Sequence, residues 1–288
     1  MSDGQAHSSE HRRPEATTPP ELMIRVASAL VLAVLALLIT RAGLWPFTIL
    51  ICAGAIIASW EWGRLVRASA FDAVVVCHAA AVAAAVLLSA AQRLELAFLA
   101  LGIGLAVVGL LAAPRRNSTW SMIGFAYIGL PAVALVVVRG DTELGWLAIA
   151  YLFSIVWCAD TAAYAIGRLI GGPKLAPRIS PNKTWSGFVA GIVFPSLVAL
   201  GWAVWLGNTS LLHLPLLGAG LALTVQIGDL SESATKRRFH VKDAGHLIPG
   251  HGGLLDRIDG FLFAALASGV ILTLRSDLPS GAALLIWP

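Results

Sequence analysis

Residues 96–113 read LAFLALGIGLAVVGLLAA, eighteen residues without a charged side chain. A helix rises 1.5 Å per residue, so about 20 mostly apolar residues cross the ~30 Å hydrocarbon core of a bilayer. Arg93 and Glu95 stand before this run, and Arg115 and Arg116 stand after it. Working outward, similar runs occupy 26–40, 46–60, 73–91, 120–138, 146–159, 187–206, 212–228 and 258–274. The expected fold is all-α, a polytopic membrane helix bundle of about nine transmembrane helices. Pro46, Pro131, Pro195 and Pro215 fall within or beside these runs. A bundle tolerates them, because neighbouring helices satisfy the backbone groups they free.

Composition supports that reading. The 288 residues are 58% hydrophobic and 12% charged, with mean hydropathy +0.81. An ordinary soluble domain is excluded. With nine spans and a cytoplasmic N-terminus, 16 of the 20 Lys and Arg residues fall on the cytoplasmic side. Arg41, Arg93, Arg139 and Arg275 fall on the other. This split follows the positive-inside rule and supports the parity. The net charge of +4 then reflects topology, and no basic soluble face suggests a nucleic-acid partner. Cys52, Cys77 and Cys158 lie in or beside apolar runs without metal-ligand spacing, so packing is their expected role.

Residues 1–22 read as a disordered cytoplasmic tail, polar and Pro-rich in composition. Arg12-Arg13 resembles an export signal, but the apolar run begins late and lacks a small-residue cleavage site. Residues 23–145 hold spans one to five and little chemistry. Trp60, Glu61 and Trp62 resemble an interfacial belt, with Glu61 as a solvated residue at a helix end. Two long polar loops are expected at about 160–186 and 229–257, both cytoplasmic. No internal repeat of the kind that inverted-half transporters carry is visible.

Asp229–Asp259 holds ten charged residues and three of the seven histidines. Charge beside a membrane is costly to keep dry, so this stretch is expected to line a wet site for charged ligands. Asp256 and Asp259, three apart, share a face if helical. With Asp229 they offer the carboxylate oxygens that a hard cation such as Mg²⁺ takes, usually beside substrate phosphate. They equally suit capping of span nine. Gly252 and Gly253, after His251, allow a turn whose amides receive an anion, or simply a tight loop. Lys236, Arg237 and Lys242 suit phosphate or anionic lipid, and Lys242 with Asp243 makes a possible ion pair. Arg178, Ser180, Lys183 and Thr184 precede span seven, where they suit phosphate or an anchor beside Trp185. Asp160 lies in the apolar stretch of span six, as a site residue or a partner for Arg168. Together these residues describe metal-assisted phosphoryl or nucleotidyl transfer involving a lipid.

The pattern from Ser233 through Lys236-Arg237, Lys242-Asp243 and Gly245 to His251-Gly252-Gly253-Leu254-x-Asp256-Arg257-Ile258-Asp259 resembles the signature of the phosphatidate cytidylyltransferases, or CDP-diacylglycerol synthases. Ser180-Pro181-Asn182-Lys183-Thr184-Trp185-x-Gly187 and Asp160-Thr161-Ala162-Ala163-Tyr164 are similar to that family as well. The resemblance is strong over about 155–262 and weak before it. Thr235 departs from it, standing where the family usually has a large apolar residue.

The resemblance implies that CTP and phosphatidate give CDP-diacylglycerol and pyrophosphate. It implies that Asp229, Asp256 and Asp259 hold metals, Mg²⁺ chiefly and K⁺ in a second position, with Asp160 as a further member. Lys183, Ser180, Lys236, Arg237, Lys242, Asp243 and His251 become catalytic candidates. Arg178, Thr184, Gly252, Gly253 and Arg257 become substrate-binding candidates. Residues 146–288 become the C-terminal catalytic transmembrane region. A homodimer in the inner membrane is implied, its site facing the cytoplasm among membrane lipids. The rival readings are a CTP-dependent lipid kinase, a CDP-alcohol phosphotransferase and a transporter. The phosphotransferase motif fails after Asp259-Gly260, where Phe261, Leu262, Phe263 and Ala264 follow.

Overall fold

The computed structural model describes residues 19–68, 71–114, 117–140, 142–208, 210–245 and 252–287, with side chains from Leu30 onward. His251 therefore lies outside the described residues. The nine apolar runs correspond to α1 (Pro19–Ala42), α2 (Leu44–Arg67), α3 (Ala73–Ala90), α4 (Leu94–Ala112), α5 (Ser118–Arg139), α6 (Glu143–Ile170), α7 (Trp185–Leu206), α8 (His213–Arg238) and α9 (Leu255–Leu274). A short α10 (Ser280–Leu285) follows. Among the described residues, eight helices, α2 to α9, are long and apolar enough to cross a membrane, and Leu30–Ala42 is a shorter apolar helix. Residues up to Ala36 form one unit and Leu37 onward another. All that follows concerns the second.

Three helices, α3, α6 and α7, begin where a side chain takes an orphan amide of the first turn. Asp72 accepts Val75 N–H at 2.8 Å, Thr142 accepts Gly145 N–H at 3.0 Å, and Thr184 accepts Gly187 N–H at 3.2 Å. Pro131 and Pro195 sit buried inside α5 and α7. Two apolar groups form the core. Trp62, Val82, Val108 and Phe125 belong to one, and Tyr151, Ile155, Leu221 and Phe261 to the other. Ile51, Val137 and Ile258 pack against both and join them. Phe98, Leu110 and Trp205 face outward, as side chains in contact with lipid do.

The polar loops expected at 160–186 and 229–257 are largely ordered structure. Helix α6 has 28 residues and α8 has 26, so they run for about 42 and 39 Å, well beyond the hydrocarbon thickness. Their ends carry bases, Arg168 on α6 and Lys236, Arg237 and Arg238 on α8, where the helix dipole favours positive charge. Between α6 and α7 a hairpin pairs β1 (Lys174–Ala176) with β2 (Ser180–Thr184), antiparallel, Lys174 opposite Thr184. Gly171 and Gly172 make the turn into it at φ 66 and 98°, a region glycine enters without a Cβ clash.

Candidate functional site

Glycines set the distances between the four helices of the C-terminal half. Where α8 crosses α9, a methyl on Gly228 would stand 2.9 Å from Gly260 Cα and 2.7 Å from the Asp259 carbonyl. Where α6 crosses α7, a methyl on Gly187 would stand 3.2 Å from Gly167 Cα and 2.6 Å from the Ala163 carbonyl. Small residues at membrane crossings let backbones approach this closely. Gly228 adjoins Asp229 and Gly260 adjoins Asp259, so the α8–α9 crossing carries those two acids together. Asp160, on α6, is near enough to act electrostatically on both.

A cleft of about 670 Å³ opens between α6, the hairpin, α7 and α8. Asp160, Tyr164, Arg168, Asn182, Lys183, Thr184, Gln226 and Asp229 are among the side chains that line it. Lys183 reaches across from β2 to Asp229, with its Nζ 2.5 Å from Oδ2. Arg168 donates to the Tyr164 hydroxyl at 2.9 Å, and the base acting on Asp160 is Lys183. The alternative partner for Asp160, Arg168, is bonded instead to the Tyr164 hydroxyl. Arg237 Nε donates to the Ile179 carbonyl at 3.3 Å, tying the end of α8 to the hairpin beside half-buried Ser180.

Asp256 is engaged elsewhere. Lys236 Nζ stands 2.7 Å from Asp256 Oδ1 and 2.7 Å from Glu232 Oε2. The Asp256 carboxylate also accepts N–H groups of Ala244, at 3.0 Å, and Gly253, at 3.0 Å. It pins the loop after α8 to the segment entering α9. Asp259 accepts the Gly260 N–H at 2.8 Å and faces the α8 acids.

Of the remaining sequence-named residues, Arg178, Lys242 and Asp243 are exposed and lie outside the cleft lining. Arg257 is exposed, with a partner of its own, and Gly252 and Gly253 form the backbone entering α9. The departure at Thr235 is absorbed locally, for its hydroxyl donates to the Ser231 carbonyl one turn back at 2.9 Å.

Several contributors escape a reading of the sequence. Glu232 is 5% exposed and its Oε1 has no hydrogen-bond partner. The buried Tyr127 hydroxyl on α5 is likewise unpartnered and lies within electrostatic range of Asp259, Glu232 and Asp229. Gln226 lines the cleft from α8. Glu61 and Trp62, expected at an interface, are 0% and 3% exposed. Trp62 donates to the Trp120 carbonyl at 2.8 Å over Gly124, and Glu61 accepts backbone amides of Leu254 and Leu255. The Gly228-Asp229-Leu230-Ser231-Glu232 run was the available signal for Glu232. No local signal marks Tyr127 or Glu61.

Among the described residues no three His, Cys, Asp or Glu side chains are grouped closely enough to hold a metal ion between them. The chemistry of the acids still suits a hard cation: Asp160, Asp229 and Asp259 lie within electrostatic range of one another, and Glu232 within range of Asp259. Mg²⁺ commonly takes only one or two protein carboxylates and completes its shell with water and substrate phosphate.

Over residues 23–274 the chain matches the model of the cytidylyltransferase family. The chain belongs to that family. It is 39% identical over 257 residues to a phosphatidate cytidylyltransferase of Brucella suis, covering 85% of this chain and 90% of that one. It is 40% identical over 157 residues to one of Staphylococcus saprophyticus, across 54% of this chain and 59% of the other. Another, of Rickettsia bellii, is 40% identical over 151 residues, across 50% of this chain and 65% of its own. All elements that build the cleft of this cytidylyltransferase, from α6 to α8, fall inside the family match. So do Glu61 and Tyr127, on α2 and α5.

Proposed function

We propose that this chain transfers the cytidylyl group of CTP to phosphatidate, giving CDP-diacylglycerol and pyrophosphate. Family membership supports cytidylyl transfer, and the names of the relatives supply the acceptor. The observation that carries the reading is the cleft itself. It gathers charged and amide side chains on a partly apolar lining, lies between helices with apolar outer faces, and holds Lys183 against Asp229.

A phosphatidate oxygen attacks the α-phosphorus of CTP, and the bond from that phosphorus to the bridging oxygen of the β-phosphate breaks. Pyrophosphate leaves with the electron pair. The attacking phosphate is already anionic, so no strong general base is required, and positioning and charge neutralisation do the work. Lys183 supplies a cation inside the cleft, and Arg168 and Lys174 add positive charge at its lining. Asn182, Thr184 and Gln226 offer hydrogen bonds to the nucleotide. Asp160, Asp229 and Asp259 would hold Mg²⁺, with K⁺ as a second ion. Bound there, the metal neutralises phosphate charge and orients the reacting groups. Asp256 stays with the site by fixing the segment that carries Asp259.

The cleft faces the cytoplasm of the inner membrane on this reading, since the basic residues lie mostly on that side and CTP is cytosolic. Within 23–145 lie the supporting helices and within 146–288 the catalytic region, while most of the tail expected at 1–22 lies outside the described residues. Homodimer formation rests on family likeness alone.

The test is to incubate the purified chain in detergent with phosphatidate, Mg²⁺ and α-labelled CTP. Label in lipid with pyrophosphate release is expected. Release of CDP instead indicates a lipid kinase, and untouched CTP indicates a transporter.

A further inference from the structure

Glu61 stands on α2 yet meets the segment that opens α9. Its side chain is fully buried, with Oε1 accepting Leu254 N–H at 2.9 Å and Oε2 accepting Leu255 N–H at 2.8 Å. The first amides of a helix have no intrahelical partners, and the residue before α9, Leu254, offers no side-chain cap. Glu61 takes that role from 193 and 194 residues away, with its negative charge at the positive end of the helix dipole. Space is left for it alone. A methyl on Gly245 would stand 2.5 Å from Glu61 Oε1, and one on Gly253 would stand 2.9 Å from both Glu61 oxygens. Behind it, Trp62 is held by its bond to the Trp120 carbonyl.

A buried carboxylate without partners is costly, so a slot that served packing alone would be filled by an apolar side chain. Here both oxygens are used, and both on the segment that leads into Asp256 and Asp259. We propose that Glu61 is a positioning residue for the reaction. By holding the amides of Leu254 and Leu255 it sets the first turn of α9, and so where Asp259 stands against Asp229. The inference rests on the reaction proposed above. It gives Gly245 and Gly253 a reason within the signature segment, which is to admit a carboxylate from another helix.

The test uses the full chain in detergent with two variants, Glu61→Gln and Gly245→Ala. An amide at position 61 presents one oxygen where two N–H groups need acceptors. A methyl at position 245 pushes the native carboxylate aside. Four properties are read: kcat and KM for CTP, the half-saturating Mg²⁺ concentration, thermal unfolding, and hydrogen exchange of the peptide covering 252–260. The expected result is folded protein with kcat lower by about 10–100-fold and a raised Mg²⁺ requirement, the usual scale for losing a partner that orients ligands. KM for CTP changes little, and exchange quickens in the first turn of α9 alone. Folded variants with wild-type kcat and Mg²⁺ requirement overturn the proposal. So does lost activity that follows only the loss of folded protein. If Glu61→Gln does not fold, Gly245→Ala decides. A wild-type chain that labels no lipid overturns the reaction itself. Labelled lipid from wild type and Glu61→Gln at equal kcat overturns only the role of Glu61.

Discussion

Gly228 and Gly260 face each other where α8 crosses α9, so closely that a methyl on Gly228 would stand 2.9 Å from Gly260 Cα. That approach brings Asp229 and Asp259, each adjoining one of these glycines, to the same level. Gly228→Ala must displace backbone, since the Asp259 carbonyl lies 2.7 Å from the added carbon. A stability loss of about 1–3 kcal/mol is expected. Activity should fall further than stability, because the two acids separate. Thermal unfolding in detergent beside the labelled-CTP assay measures both.

Lys183 is the cation at the heart of the cleft, paired with Asp229. Lys183→Met should lower kcat by about 100-fold, the scale of losing one preorganised electrostatic contact to the transition state. The fold should persist, since Lys183 sits on a two-stranded hairpin outside the helix core. Unaltered turnover by a well-folded variant would remove Lys183 from the mechanism.

The two acids of α9 should differ. Asp256 satisfies Lys236 and two loop amides, so Asp256→Asn should cost about 2 kcal/mol of stability along with activity. Among the described residues Asp259 accepts the amide of its neighbour Gly260, and Asp259→Asn should leave the unfolding midpoint near wild type while abolishing turnover. Unfolding curves for the pair separate these roles, and near-normal Mg²⁺-dependent turnover by Asp259→Asn would refute the metal assignment.

Arg139 lies far from this chemistry. It is buried, and its guanidinium donates to the carbonyls of Thr40 at 2.7 Å and Gly140 at 2.9 Å. Arg139→Leu removes these bonds from a buried site and should lower stability by about 3 kcal/mol. KM and kcat of the folded fraction should be unchanged. Comparing activity per folded molecule with the unfolding midpoint checks this.

The membrane class, the nine helices and the segments that supply the cleft were legible in the sequence. A run such as 96–113 has to be a helix wherever it meets lipid, because every backbone polar group must be satisfied within the segment. The reach of α6 and α8 past their apolar runs was less legible. Hydrophobicity ends at the membrane, whereas helical hydrogen bonding continues to Ile170 and Arg238. Tertiary structure alone decided which side chains meet. Asp229 and Asp259 come together because glycines let two backbones touch, and the rotation of each helix about its axis is set by its neighbours. Glu61 reads locally as a charge at a helix end. It became a cap for α9 only because folding brought residues 193 apart into hydrogen-bond range, where a buried carboxylate and orphan amides satisfy each other.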